Sequence, residues 1–240
     1  MTTTGTHLFD PQLAEIFDEA FERAGLDPAT VGTHHVQSAR RSLRFMLNSE
    51  WTLFGQRQWQ IAQATEQMTV GKASFYTPPG CIDIIDAVLS RSGKDTEMYP
   101  ISRDEYLTLV DKTIRGRPDR FFLDKQTGRK LCYIWQCGSR TTDSMIYYYF
   151  RQMQDASGTN TALKSTLEMP TYAHQACATG LAWRIAQKFM PARAEPLRIE
   201  YGGPAYPTEV GGLMKQMAIA DRETGDIDLY PAYEPRTSRR

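Results

Sequence analysis

The chain is short of several things at once. It has four cysteines in 240 residues, Cys81, Cys132, Cys137 and Cys177. They make no C-x-x-C pair and are too few for a disulfide framework, so reduced thiols of a cytosolic product are expected. Net charge is also missing, because Lys+Arg and Asp+Glu are each 28. That removes the overall basic footprint of a nucleic-acid binder, leaving only a local patch, and it leaves little repulsion to oppose self-association. No apolar run approaches the roughly 18 residues that span a bilayer, so no membrane partner is expected. Met1 to His7 lack the basic and apolar regions of a secretory signal. Absent too are G-x-S-x-G, G-x-x-x-x-G-K-[ST] and H-E-x-x-H, which lowers the expectation of an enzyme without excluding one.

What is present suffices for a packed core. Apolar residues make up 41% and aromatics 11%, too many for a disordered chain. Near the start, Leu13, Ile16, Phe17, Ala20, Phe21 and Ala24 repeat at helical spacing. Asp10 is read as the N-cap and Pro11 as the first helical residue, with Gly25 ending the helix. Glu15, Asp18, Glu19 and Glu22 give it an acidic outer face. A second helix is expected from about His34 to Leu53, with Arg40, Arg41 and Arg44 as a basic patch. Three readings of that patch stay open: a solvated face pairing with the acidic helix, contact with DNA phosphate, or contact with an acidic partner subunit.

From about Gln58 the period changes to two. Strands are expected around Trp59 and Ile61, at Ile82 to Leu89, at Phe121 to Leu123, at Leu131 to Trp135 and at Met145 to Phe150. Gly71-Lys72 between Met68-Thr-Val and Ala73-Ser-Phe-Tyr reads as a short hairpin, and Ser92 to Asp95 as a turn. Ser102 and Glu105 form a capping box that opens a short helix. The tyrosine run Tyr147 to Tyr149 fits either a sheet with core on one side and a neighbouring subunit on the other, or a wholly internal strand. A polar loop follows at 155–167, then a strong helix from Pro170 to about Met190. Pro191 can open another helix, which Gly202-Gly203-Pro204 and Pro207 interrupt, and Leu213 to Arg222 can resume it.

The expected fold class is therefore α+β: a helical bundle from the N- and C-terminal segments with an inserted antiparallel β-sandwich-like domain. The boundaries read as 8–56 plus 168–222 for the bundle, 57–153 for the insertion and 223–240 for an extended tail. Catalytic sets are weak. His34-His35 are adjacent and point apart on a helix, and His174 with Cys177 has no further ligand at zinc spacing. Asp83 with Asp86, and Asp104 with Glu105, read as caps and solvated faces. No catalytic residue, metal or cofactor is assigned.

A series of blocks carries a resemblance. Ser38 to Trp51 (SARRSLRFMLNSEW), Ile82 to Leu89, Ile101 to Tyr106, Gly116 to Asp124, Tyr148 to Asp155 and Ala178 to Pro191 occur in the order found in head-to-tail adaptor proteins of short-tailed bacteriophages, also described as connector or tail tubular A-like proteins. The chain resembles that family over roughly residues 8–201 and departs after Tyr201, where Gly202-Gly203-Pro204 and Pro207 replace a continuing charged helix. The resemblance implies a virion protein at the head–tail junction, present in the host cytoplasm during assembly. It would form a ring, a dodecamer, between the portal protein and a tail or nozzle protein. Packaged DNA would pass through it without sequence-specific binding. It also implies portal contacts from the C-terminal segment, here Met217, Ile219, Ile227, Leu229, Tyr230 and Tyr233. A head-to-tail ring needs two different faces per subunit, and Glu15, Asp18 and Glu22 against Arg40, Arg41 and Arg44 are the candidate pair. Competing expectations are a tail-tube or nozzle component farther from the portal, a nucleic-acid-binding module, and a tail-borne cell-wall hydrolase.

Overall fold

In the computed structural model, which describes residues 10–51, 58–153 and 166–222, the first apolar stripe forms helix α1, Leu13–Ala24. It starts two residues later than Asp10 and Pro11 predict. Gln12 is held extended by a bridge to Thr166, and its N–H donates to Glu15 Oε2 at 2.9 Å, so the cap forms there. Gly25, at φ 87°, closes α1 with bonds from its own N–H to Glu22 O and from Leu26 N–H to Phe21 O. Helix α2, Thr33–Phe45, widens into a π-helical turn over Met46–Glu50. The expected loop at 155–167 falls largely outside the described residues.

After the inserted strands the chain returns as α4, Thr171–Phe189, then α5, Pro191–Gly202, and α6, Gly212–Ala220; α3, Arg103–Thr108, lies within the insertion. Pro191 opens α5 as expected, since its missing N–H is one the first turn leaves unbonded anyway. Helix α4 is rich in small residues, and Ala173, Ala176, Cys177, Gly180, Leu181 and Ala182 are all buried. Such a surface lets α1, α2, α5 and α6 all pack on it. Gly180 shows the tightness: a Cβ there would lie 2.6 Å from the Tyr201 ring and 2.8 Å from Met46 Sδ. The core of this helical unit runs from Phe17, Phe21, Leu47 and Trp51 to Leu181, Tyr201 and Met217. The described residues up to Trp59 and from Met153 onward belong to it, while Gln60–Gln152 form a second unit.

Within that second unit the strands are β1 Ile61–Gln67, β2 Ser74–Tyr76, β3 Cys81–Arg91, β4 Lys94–Pro100, β5 Arg115–Gly116, β6 Arg120–Asp124, β7 Leu131–Trp135, β8 Cys137–Gly138 and β9 Ser144–Arg151. Seven make one sheet in the order β1-β9-β3-β4-β6-β7-β2, and β5 pairs with β8 apart from it. The chain is α+β, with the sheet curled so that its two halves share a core. Phe75 of edge strand β2 thus lies 5.8 Å from the ring of Tyr147 on β9. Four of the sheet's seven strands lie to one side of the β4–β6 junction, and that junction is parallel, with α3 in the crossover.

Two readings are corrected. The hairpin at Gly71-Lys72 does not form: β1 pairs with β9 and β2 with β7, at opposite edges of the sheet. Gly71, at φ 80°, instead donates its N–H to Gly138 O at 2.8 Å, and the segment carries the chain from one edge to the other. Strand β4 was not expected, because in KDTEMYP only Met98 is buried. Its pairing is set by the Ser92-Gly93 turn, whose φ values of 53° and 74° match the turn type that joins twisted strands.

Candidate interaction surfaces

The acidic residues proposed on α1 stand where the periodicity puts them. Glu15, Asp18 and Glu22 are exposed and make no ion pair with Arg40, Arg41 or Arg44 among the described residues. The ion pairs of α1 run elsewhere: Arg23 reaches Glu19 at 2.6 Å and Glu200 of α5 at 2.9 Å, and donates to Thr179 Oγ1 at 3.0 Å. The first reading of the basic patch, neutralisation by the acidic helix of the same subunit, is therefore not realised among the described residues. Both helices pack on α4 rather than on each other's charged faces.

On α2, Arg41 is exposed, and Arg40 and Arg44 are half-buried. Phe45, one turn after Arg41, is 66% exposed. Lys188 extends the basic side: its Nζ donates to Ser42 Oγ at 2.7 Å and Ser38 Oγ at 3.1 Å. Burial, with Arg41 and Arg184 nearby, pulls the Lys188 ammonium below its ordinary value. An exposed aromatic among arginines is the composition of a protein-contact patch, since it offers area and hydrogen bonds together.

The sequence reading missed a buried polar cluster at the end of the π turn. Glu50 is ion-paired with Arg184 and accepts hydrogen bonds from the hydroxyls of Tyr201, at 2.9 Å, and Tyr206. Trp51 Nε1 donates to the Tyr201 hydroxyl at 2.8 Å. Burial and the adjacent Tyr206 push the Tyr201 hydroxyl far up, so it stays a neutral donor to the carboxylate. The signal was available: Glu50 continues the stripe of Leu43, Met46 and Leu47, where a carboxylate needs a partner. Every Glu50 oxygen is answered from within the unit, and this cluster reads as a structural clamp.

Of the six residues proposed for portal contact, Ile227, Leu229, Tyr230 and Tyr233 lie outside the described residues. Ile219 is 60% exposed on α6. Met217 is a correction: it is buried in the helical core beside Met214, and α6 needs it there to pack on α4 and α5. Tyr147 and Tyr149 point into the sheet core while Tyr148 is 48% exposed, which leaves the outer side of β9 open.

His174 and Cys177 do not make a ligand pair with an available thiolate. Cys177 is fully buried and its thiol is pushed up to about 12 by burial alone. Among the described residues no group of three or more His, Cys, Asp or Glu side chains is placed to hold a metal ion. No helix among them is long and apolar enough to cross a membrane. No family model matches the chain, and no curated protein matches it.

Proposed function

We propose that the chain is a structural virion subunit, a head-to-tail adaptor that assembles as a ring between portal and tail and has no catalytic role. One observation carries this reading furthest. Helix α1 exposes Glu15, Asp18 and Glu22 and helix α2 exposes Arg41, and among the described residues none of these carboxylates pairs with Arg40, Arg41 or Arg44. A ring built by head-to-tail contact needs two unlike faces on every copy. The ordered blocks that resemble the adaptor family support the same reading, as does a helical unit gathered from both sides of an inserted β unit. Ile219 is the described residue that remains available for portal contact, together with the segment beyond it.

The test is the light-scattering mass of the full chain, alone and mixed with the portal ring of its own phage. A stoichiometric ring on the portal is expected, and reversing Arg40, Arg41 and Arg44 to Glu is expected to prevent it. A chain that never binds the portal, or triple-reversed chains that still form rings, overturns the reading. A nucleic-acid-binding module is the second reading, favoured by the Arg41 and Lys188 side of the helical unit. It predicts binding that falls steeply with salt, whereas portal docking through apolar contacts does not.

A further inference from the structure

The outer surface of the curled sheet differs in chemistry between its two halves. Register defines the first half: Gln63, Tyr148 and Asp86 lie in one row, and Thr65, Ile146, Val88 and Glu97 in the next. Their neighbours Tyr147, Met145, Ala87, Leu89 and Met98 point the other way into the core. Asp86 and Glu97 are exposed and have no cation partner among the described residues, so this face is an apolar stripe edged with free carboxylates.

The second half, on β6, β7 and β2, is aromatic and cationic. Phe122 and Tyr133 stack with ring centroids 5.9 Å apart, Tyr106 of α3 packs on both, and Arg103 of α3 pairs with Asp124. Helix α3 thus covers the middle row of this half and leaves Arg120 with Trp135 on one side of it and Arg129 with Tyr76 on the other. Arg120 lies over Trp135 at 5.2 Å, and the nearest carboxylate it meets is Asp119 at 3.8 Å. Arg129 lies over Tyr76 at 5.5 Å and donates to the carbonyls of Tyr76 and Thr77, with no carboxylate partner among the described residues. A guanidinium held over a ring is oriented and only weakly hydrated, which is the state that receives a carboxylate at low cost.

We infer that these two faces bind each other between copies: the Asp86–Tyr148–Glu97 face of one chain docks on the Arg120–Trp135–Arg129 face of the next. The occupant is a second copy because the charges are complementary and both faces carry apolar area, Tyr148 and Ile146 on one and Trp135 and Tyr76 on the other. Zero net charge does not oppose the approach. Unlike faces on one unit give a heterologous contact, the kind that closes into rings. The inference rests on the reading of the chain as a ring subunit and names a second contact for it, in the β unit.

The experiment is cysteine cross-linking of full-length chains, with diamide as oxidant. The native cysteines suit it, because all four are buried. Gln63→Cys marks the first face beside Tyr148, and Ser74→Cys marks the second beside Tyr133. Mixed chains are expected to form the disulfide about tenfold faster than either variant alone. Adding Arg120→Glu and Arg129→Glu to the Ser74→Cys chain is expected to remove that advantage. Asp86→Lys with Glu97→Lys on the other chain is expected to restore it. An unchanged circular dichroism spectrum and melting temperature for each variant show that folding is intact. Equal rates in mixed and unmixed samples, or indifference to the reversals, overturn the inference. Portal binding is measured separately: rings on the portal without the cross-link defeat this contact alone, and the cross-link without portal binding defeats the adaptor reading alone.

Discussion

Glu50 in the helical unit and Asp143 in the β unit are both buried carboxylates facing an arginine, and their surroundings differ. Asp143 is fully buried, and the side-chain bonds it accepts all come from Arg91, through Nε and through Nη2 at 2.6 Å. The pair sits beside the turn of the β3–β4 hairpin, where Asp143 O also accepts from Met68 N–H at 2.9 Å. Glu50 is answered by three side chains from two other segments, Arg184 of α4 and Tyr201 and Tyr206 around the end of α5. The first is a pair and the second a network. A pair fixes one turn of chain, while a network ties the π turn, α4 and the 203–211 loop to one point, so its members do not act independently.

The largest expected effect is therefore at Glu50. Glu50→Ala leaves Arg184 without its carboxylate and two tyrosine hydroxyls without an acceptor, a loss of about 3–5 kcal/mol. Asp143→Ala strands only Arg91 and is expected at the lower end of that range or below it. Urea denaturation of the two variants measures both. Equal losses would mean that the tyrosines add nothing, and the distinction between pair and network would fall.

Removing both partners sharpens the contrast. Arg91→Met with Asp143→Leu leaves no strong orphan, because each partner's bonds were chiefly to the other, so most of the single-mutant loss is expected to return. Glu50→Leu with Arg184→Met still leaves the hydroxyls of Tyr201 and Tyr206 unanswered, so this double variant is expected to stay about 2 kcal/mol less stable than the other. Double-mutant cycles at the two sites check it.

How much of this was legible in the sequence follows from the range of the forces involved. Local features were readable. The apolar stripe of α1 needs only spacing, and the capping box at Ser102 and Glu105 needs only four residues: Ser102 N–H donates to Glu105 Oε2 at 2.8 Å, and Glu105 N–H to Ser102 Oγ at 3.1 Å. Nonlocal features were not. The segment at Gly71-Lys72 has hairpin chemistry, yet its strands find partners some 60 residues away on β7 and 80 on β9. Strand β4 buries only Met98 and exists because β3 precedes it. Among the candidate site residues, the exposure of Glu15, Asp18, Glu22 and Arg41 was readable from helical periodicity, while Arg40 and Arg44 are half-buried. The burial of Met217 was not, because Met217 and Ile219 sit on one short helix and only the packing of α6 decides which turns inward. The arginine–ring pairs on the outer sheet face join β6 to β7 and the 129–130 region to β2, contacts that no local pattern encodes.

Glu105 supplies the exposed limit of the comparison. Its carboxylate closes a cap in water rather than a core, so removing the reciprocal partner by Ser102→Ala is expected to cost about 1 kcal/mol. The loss should appear as faster amide exchange confined to α3, with the global urea midpoint little changed. A loss as large as that at Asp143 would show that α3 holds the parallel β4–β6 junction together rather than merely crossing it.

The smallest effect concerns a titratable group, His174 on α4, whose buried Nδ1 has no hydrogen-bond partner among the described residues. Burial lowers its proton affinity from the ordinary value of 6.5, against a weaker opposite pull from Asp10. The sign follows. Below about pH 6.5 the unfolded chain takes up a proton at this site that the folded chain resists, so the unfolded state binds more protons and stability falls as the pH drops. The loss begins near the ordinary histidine value and levels off once the pH is below the lowered, folded one. His174→Gln carries no titrating group, so its stability between about pH 7.5 and 5.5 should fall less than that of the parent chain. Paired urea titrations at the two pH values isolate the difference, because every other titrating group is common to both chains. A parent and variant that lose stability equally would mean that His174 finds a partner for its proton in the folded state. The helical unit would then answer this buried group as fully as it answers Glu50.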